Sequence, residues 1–90
     1  MSIKDTLTAK LASKFAPVFL DVIDESSNHF GHDGWREGGE THFRVRIATS
    51  YFDGMSRVAQ HREVMNLLEA ELKDRVHALA IEVLPSKGPF

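Results

Sequence analysis

The length, composition and charge of the chain limit what it can be. Ninety residues, 42% of them hydrophobic, suffice for one domain with a modest core, so we predict a single domain over residues 1–90. A formal net charge of −2 gives no overall field that would attract nucleic acid. The chain has no cysteine, which excludes disulfides and any thiolate ligand or nucleophile of its own.

The first residues are too polar for a secretory signal, because charged residues separate Ile3, Leu7 and Leu11. No apolar run approaches the roughly 20 residues that span a membrane. We therefore expect a cytoplasmic protein with no membrane partner.

The first predicted element is an amphipathic helix over residues 2–15. Ser2 precedes it and Asp5 follows three residues later, which resembles a capping box. Pro17 ends the helix, because proline disfavours helical geometry in the residue before it. The apolar residues recur every four positions on one face: Ile3, Leu7, Leu11 and Phe15.

Two strands are predicted next. Residues 18–24 read VFLDVID, a run of β-branched and aromatic residues typical of a strand. Residues 41–49 alternate strictly between apolar and polar side chains, the pattern of a half-buried strand. Phe43, Val45 and Ile47 occupy one face, and His42, Arg44 and Arg46 occupy the other.

The segment between these strands, residues 25–40, reads ESSNHFGHDGWREGGE and is predicted to be a long, mobile loop. It has four glycines, two serines and no apolar periodicity. It also carries His29, His32 and Trp35. A loop of this length in a small domain is more often functional than idle.

A turn at Asp53-Gly54 leads to a predicted long helix over residues 56–73. A closing strand is predicted over residues 76–83, with His77 near its start, and a loose tail over residues 85–90. The apolar stripe of the long helix consists of Val58, His61, Val64, Met65, Leu68 and Leu72.

The predicted order is helix, strand, strand, helix, strand. Strands joined by a loop pair antiparallel, whereas a strand, helix, strand crossover returns parallel and right-handed. The sequence therefore predicts an α+β fold, a three-stranded mixed sheet with the helices packed on one face and the arginines on the other.

No catalytic motif stands out. The chain has no cysteine nucleophile, no G-x-S-x-G, no phosphate-binding glycine loop and no H-E-x-x-H pair. Its carboxylates lie mainly on predicted helix surfaces, so we predict that the protein is not an enzyme and has no catalytic residues.

Three histidines belong to predicted regular structure. His61 lies on an apolar stripe, where a half-buried, hydrogen-bonded role is the usual one. His42 alternates with the arginines, which favours a plain surface position. The pattern around His77 favours a structural role, but its place at the end of the sheet leaves a rim position open.

The remaining histidines, His29 and His32, lie in the loop. Their spacing allows either to reach a metal ion without a burial cost, although loop histidines are commonly inert. It therefore remains an alternative that the loop histidines bind zinc or another divalent ion without any partner.

Nucleic-acid binding also stays open. The basic residues allow a patch, but the overall acidity and neighbours such as Asp53 and Glu63 oppose it. The arginines in question are Arg44, Arg46, Arg57 and Arg62.

Several short motifs, taken together and in this order, resemble the BolA family over about residues 3–84. The matching stretches are Asp24-Glu25-Ser26 followed by His29, Gly39-Glu40-Thr41-His42-Phe43, Phe52-x-Gly54, His61-Arg62, Glu71-Leu72 and Val76-His77-Ala78-Leu79.

The resemblance implies a class II KH-like fold and a partnership with a monothiol glutaredoxin. In such a complex the two proteins share a [2Fe-2S] cluster with glutathione and act in iron-sulfur cluster trafficking or iron regulation. The resemblance implies His77 as one ligand and His29 as the second, with His32 its close competitor. No cluster is expected to stay tightly bound to the isolated chain. Alone, the chain is expected to be a monomer or a weak homodimer.

The chain departs from the family pattern in two places. Many members have R-H-R where this chain has Gln60-His61-Arg62, which removes a positive charge from the segment proposed to contact DNA or a partner. The alternative role, a DNA-binding transcriptional regulator that uses the four arginines above, is weakened accordingly. The loop is also longer than usual, which leaves the choice between His29 and His32 open.

Overall fold

A computed structural model describes residues 2–26 and 41–90. Most of the predicted loop lies outside these residues, and so do His29, His32 and Trp35. In order, the elements are α1 (Ile3–Phe15), β1 (Phe19–Asp24), β2 (His42–Ala48), a 3₁₀ turn (Ser50–Phe52), α2 (Arg57–Leu67), α3 (Glu69–Asp74) and β3 (Ala78–Val83).

The predicted sheet is confirmed. Its strand order is β1-β2-β3, with β1 antiparallel to β2 and β2 parallel to β3. The central strand buries Phe43, Val45 and Ile47 in the core that also holds residues of the helices. The sheet thus has one face covered by helices, and Arg44 and Arg46 lie on the other face.

Helix α1 begins and ends as the sequence predicts. The Ser2 side chain accepts a hydrogen bond from the Asp5 N–H at 3.0 Å. At the other end Ala16 adopts the left-handed conformation, with φ 43° and ψ 56°, and its N–H donates to the Ala12 carbonyl. Pro17 follows at once, so the chain leaves α1 in a sharp turn toward β1.

The single long helix predicted over residues 56–73 is wrong in one respect, because a turn at Leu68 divides it into α2 and α3. Leu68 has φ −99° and ψ 15° and is fully buried. No glycine or proline marks this position, which is why periodicity predicted a continuous helix. After the turn, Glu71 on α3 forms an ion pair with Lys10 on α1 at 2.9 Å.

Two members of the predicted apolar stripe are also wrong. Val58 is 61% exposed and Met65 is 41% exposed, whereas Val64 and Leu68 are buried. At 100° per residue, Val58 and Met65 lie about 100–120° around α2 from Val64, which places both beyond the buried face. None of the described helices is long and apolar enough to cross a membrane.

Candidate functional site at one corner of the sheet

His77 lies at the rim of the sheet, immediately before β3 rather than inside it as the sequence predicted. Its side chain is exposed, while Leu79 and Ile81 pack partly buried against the core. Its N–H donates to the Thr41 carbonyl at 2.7 Å, and the Ala78 N–H donates to the same oxygen at 3.2 Å. The backbone of His77 is therefore fixed, and its imidazole faces solvent.

One buried side chain and one backbone hydrogen bond join the residues on the two sides of segment 27–40. The Ser26 hydroxyl accepts hydrogen bonds from the N–H groups of Thr41 at 2.9 Å and His42 at 3.2 Å. The Glu25 N–H donates to the His42 carbonyl at 2.7 Å. The two residues that flank the segment, Ser26 and Thr41, are therefore hydrogen bonded to each other, and Thr41 is also hydrogen bonded to His77. We call Ser26, Thr41, His42 and His77 the histidine corner.

The predicted surface position of His42 is wrong, since its side chain is only 4% exposed. Its Nδ1 shares a hydrogen bond of 2.9 Å with the Thr41 hydroxyl. Its ring centroid lies 5.3 Å from that of His77, with the ring planes at 53°. Strand alternation correctly places His42 on the arginine face, but it cannot show that neighbours from outside the strand cover that position.

The structure therefore brings His77 together with His42, a pairing that was not predicted. Within residues 2–26 and 41–90, no group of three or more histidine and carboxylate side chains could hold a metal ion. The predicted ligands His29 and His32 lie outside those residues. His61 is half-buried on α2, in keeping with its predicted structural position.

Ser26 and Thr41 were missed as site residues, although a signal for them existed. Both lie in the short stretches that carry the family resemblance, Asp24-Glu25-Ser26 and Gly39-Glu40-Thr41-His42-Phe43. Their side chains are short and polar, so periodicity alone gives no reason to expect them to be buried.

Arg44 and Arg46 lie on the open face of the sheet, each paired with a carboxylate. Arg44 Nε lies 3.0 Å from a Glu25 oxygen, and Arg46 Nε lies 2.9 Å from a Glu82 oxygen. The hydrogen bond that Arg44 donates to Glu25 raises the pKa of Arg44 above its ordinary value, so the side chain keeps its charge. These pairs reduce the positive field that the two arginines offer to a phosphate.

The other two candidate arginines, Arg57 and Arg62, are exposed on α2 and form no ion pair with another described residue. Helix α2 belongs to the layer on the opposite side of the sheet from Arg44 and Arg46. The four arginines therefore form two separate surfaces rather than one patch.

These features define a small α+β domain whose mixed sheet exposes an imidazole at the corner where its longest connection begins and ends. The sequence model of the BolA-like protein family matches residues 11–87. The chain belongs to this family, which is generally non-catalytic, and the resemblance seen in the motifs is confirmed.

Relatives and solved structures agree with this assignment. The chain is 51% identical over 83 residues to the "Uncharacterized protein in cobS 5'region" of Sinorhizobium sp, covering 91% of this chain and 89% of the relative. It is 42% identical over 79 residues to the DNA-binding transcriptional regulator BolA of Vibrio cholerae, covering 88% and 71%. The structure of BolA1 from Arabidopsis thaliana matches with a TM-score of 0.86 and 37% identity, covering 99% of this chain and 98% of that one.

Proposed function

We propose that this chain is a non-enzymatic adaptor that binds a monothiol glutaredoxin and co-ligates a [2Fe-2S] cluster through His77 and either His29 or His32. The observation that carries the proposal is the histidine corner. It presents one exposed imidazole on a fixed backbone, and it includes Ser26 and Thr41, the residues that flank the segment with His29 and His32.

Chain length supports both loop candidates. A chain extends by at most about 3.6 Å per residue, so the third residue after Ser26 stays within roughly 11 Å of it and the sixth within roughly 22 Å. His29 and His32 occupy those two positions. The chain between Ser26 and either histidine is therefore short enough for that residue to approach the corner that holds His77.

The donor set fits the cluster. Iron-sulfur clusters of this type take four ligands, and histidine in place of cysteine raises the reduction potential. With no cysteine in the chain, the thiolates would come from glutaredoxin and glutathione, which leaves two positions for imidazoles. In this proposal the chain positions those imidazoles. For His77, the hydrogen bond to the Thr41 carbonyl fixes the backbone that carries the ring.

A mixing experiment tests the proposal. Adding the chain to cluster-loaded monothiol glutaredoxin should change the visible absorption and circular dichroism spectra, and His77→Ala should abolish the change at saturating concentration. His29→Ala and His32→Ala identify the second ligand, and His61→Ala is the matched control for loss of an imidazole. An unchanged spectrum with His77→Ala would show that His77 is not a ligand.

Because ligating imidazoles must be neutral, and protons compete with the metal for them, the same complex should weaken on acidification. A titration of the spectral change between about pH 8 and pH 5.5 checks this dependence. A complex that keeps its full spectral change at the acid end would contradict imidazole ligation.

A second candidate function is DNA binding, favoured by the Vibrio cholerae regulator named above and by the exposure of Arg57 and Arg62 on α2, where neither forms an ion pair with another described residue. Phosphate contacts release counterions, so affinity for duplex DNA should fall steeply with salt. Replacing both arginines by alanine should lower the slope of log affinity against log salt by about 2, whereas Arg44→Ala, on the opposite face, should not. Undetectable binding to duplex DNA at low salt would exclude this function.

A further inference from the structure

We propose that His42 is a positioning residue for His77: its buried ring, fixed by Thr41, holds the His77 imidazole in the orientation in which it meets the cluster. The inference rests on the proposed function above. It concerns a histidine that is too buried to be an open ligand and that lies directly against the exposed one.

The His42 ring is itself fixed. It is 4% exposed, and its Nδ1 is 2.9 Å from the Thr41 hydroxyl. Turning the ring would break that bond in a place that water does not reach, and a buried polar atom without a partner is costly. The ring therefore offers a surface of constant position to its neighbour.

Thr41 acts on His77 by two routes. Its carbonyl accepts the His77 N–H at 2.7 Å, which fixes the backbone, and its hydroxyl fixes the ring of His42. The two imidazole centroids are 5.3 Å apart and tilted by 53°, within the range in which aromatic rings attract one another. The His77 side chain, although exposed, is thus restrained from one side.

This restraint has a consequence for binding. A side chain that becomes a ligand gives up its rotational freedom, and one that is already held gives up less. Removing the His42 ring should therefore weaken the cluster-bridged complex by roughly two- to tenfold while leaving the ligands themselves in place.

Three variants separate ring contact from fold stability. His42→Ala removes the ring, His42→Phe keeps a ring without nitrogen atoms, and Thr41→Val removes the hydroxyl that fixes His42. Thr49→Val is the matched control, because it removes another buried, hydrogen-bonded threonine hydroxyl from the opposite end of β2. We expect His42→Ala to weaken the complex most, Thr41→Val less, and His42→Phe and Thr49→Val least.

A measurement without cluster or partner keeps the inference independent of the proposed function. Three-bond NMR couplings of the isolated chain should show one dominant χ1 rotamer for His77 in the wild type and in Thr49→Val, and averaged couplings in His42→Ala. The same His77 couplings in wild type and His42→Ala would overturn the inference. If His42→Ala does not fold, Thr41→Val decides, and unchanged couplings there would overturn it equally.

The two proposals fail in different ways. Averaged His77 couplings in His42→Ala, together with no spectral change on mixing the wild type with cluster-loaded glutaredoxin, would retain the positioning role and reject the cluster. A cluster-bridged complex whose affinity does not change in His42→Ala would retain the cluster and reject the positioning role.

Discussion

Strand β2 has a buried threonine at each end, Thr41 before it and Thr49 after it, and both hydroxyls are hydrogen bonded. At the first end, the Thr41 hydroxyl meets the imidazole of His42. At the second, the Thr49 hydroxyl donates to the carbonyl of Phe15 at 2.7 Å. What surrounds each threonine differs completely.

The second end is an aromatic corner, formed by Phe15, Thr49, Tyr51 and Phe52. The Phe15 ring lies 4.9 Å from the rings of both Tyr51 and Phe52, and the two phenylalanines are buried. The histidine corner instead relies on hydrogen bonds and leaves an imidazole exposed. The two ends of the strand therefore differ in what they hold: the aromatic corner buries apolar rings, whereas the histidine corner leaves one imidazole exposed.

Of the substitutions at the two corners, Phe52→Ala should lower the free energy of unfolding most. Truncation of a buried phenylalanine typically costs about 3–5 kcal/mol, a large part of the roughly 5–15 kcal/mol that stabilises a small domain. We expect urea unfolding to show this loss, while the molecules that remain folded keep the His77-dependent spectral change with glutaredoxin.

The matched control for Phe52→Ala is a substitution at the neighbouring residue, Tyr51. Tyr51→Phe keeps the ring and removes only an exposed hydrogen bond from the tyrosine hydroxyl to Glu63, so its cost should stay below about 1 kcal/mol. Equal losses of unfolding free energy for the two variants would show that ring packing is not what this corner contributes.

Replacing Ser26 with alanine should have the next largest effect, at the opposite end of β2. The buried hydroxyl accepts from the backbone of both Thr41 and His42, so its removal leaves two buried donors without that acceptor. We expect a loss of about 1–3 kcal/mol in urea unfolding. Ser13→Ala, on the exposed surface of α1, should be nearly neutral, and a neutral Ser26→Ala would show that this clamp is dispensable.

The fold was largely predictable because its strands follow simple rules. The strict alternation of residues 41–49 and the crossover rule together predict the mixed sheet that the structure shows. The division of the second helix was not predictable, because Leu68 has no residue type that breaks helices. Its bend follows from packing, since the turn buries Leu68 and lets Glu71 reach Lys10.

The candidate site was predictable only in part, and for a similar reason. The pattern around His77 favours a structural role, and its place between the long helix and the closing strand only leaves a rim position open. The burial of His42 was not predictable, because the alternation of β2 does not predict the contacts of its ring with Thr41 and His77, which lie outside the strand. Contacts between the start of one strand and the start of another are set by register, which a single sequence does not encode locally.

A smaller effect is expected at Ala16, which adjoins the aromatic corner. It is the one non-glycine residue with positive φ in the described part of the chain. A left-handed alanine costs roughly 1–2 kcal/mol, and glycine there removes this cost while making the unfolded chain more flexible. We expect Ala16→Gly to raise the free energy of unfolding by about 0.5 kcal/mol.

Ala12→Gly is the matched control, because it introduces the same substitution inside α1 on its exposed side and should cost about 1 kcal/mol. Opposite signs for the two variants would place backbone strain beside the aromatic corner. If both variants destabilise the protein alike, the left-handed turn is not strained.

The smallest effect is expected on α3, outside both corners. The ammonium group of Lys73 donates to Glu69 at 2.7 Å, which lowers the pKa of that carboxyl. A carboxyl whose pKa is lower in the folded state stabilises the protein above its unfolded-state pKa, and this contribution is lost as the pH falls through the folded-state value.

Wild type and Glu69→Gln should therefore differ slightly in thermal unfolding near pH 7 and converge below about pH 4. Because the pair is exposed, salt should shrink the difference at pH 7 as well, and a difference that grows on acidification would contradict the pairing. Glu69→Gln should leave the His77 couplings unchanged, since the pair is formed by residues outside the histidine corner.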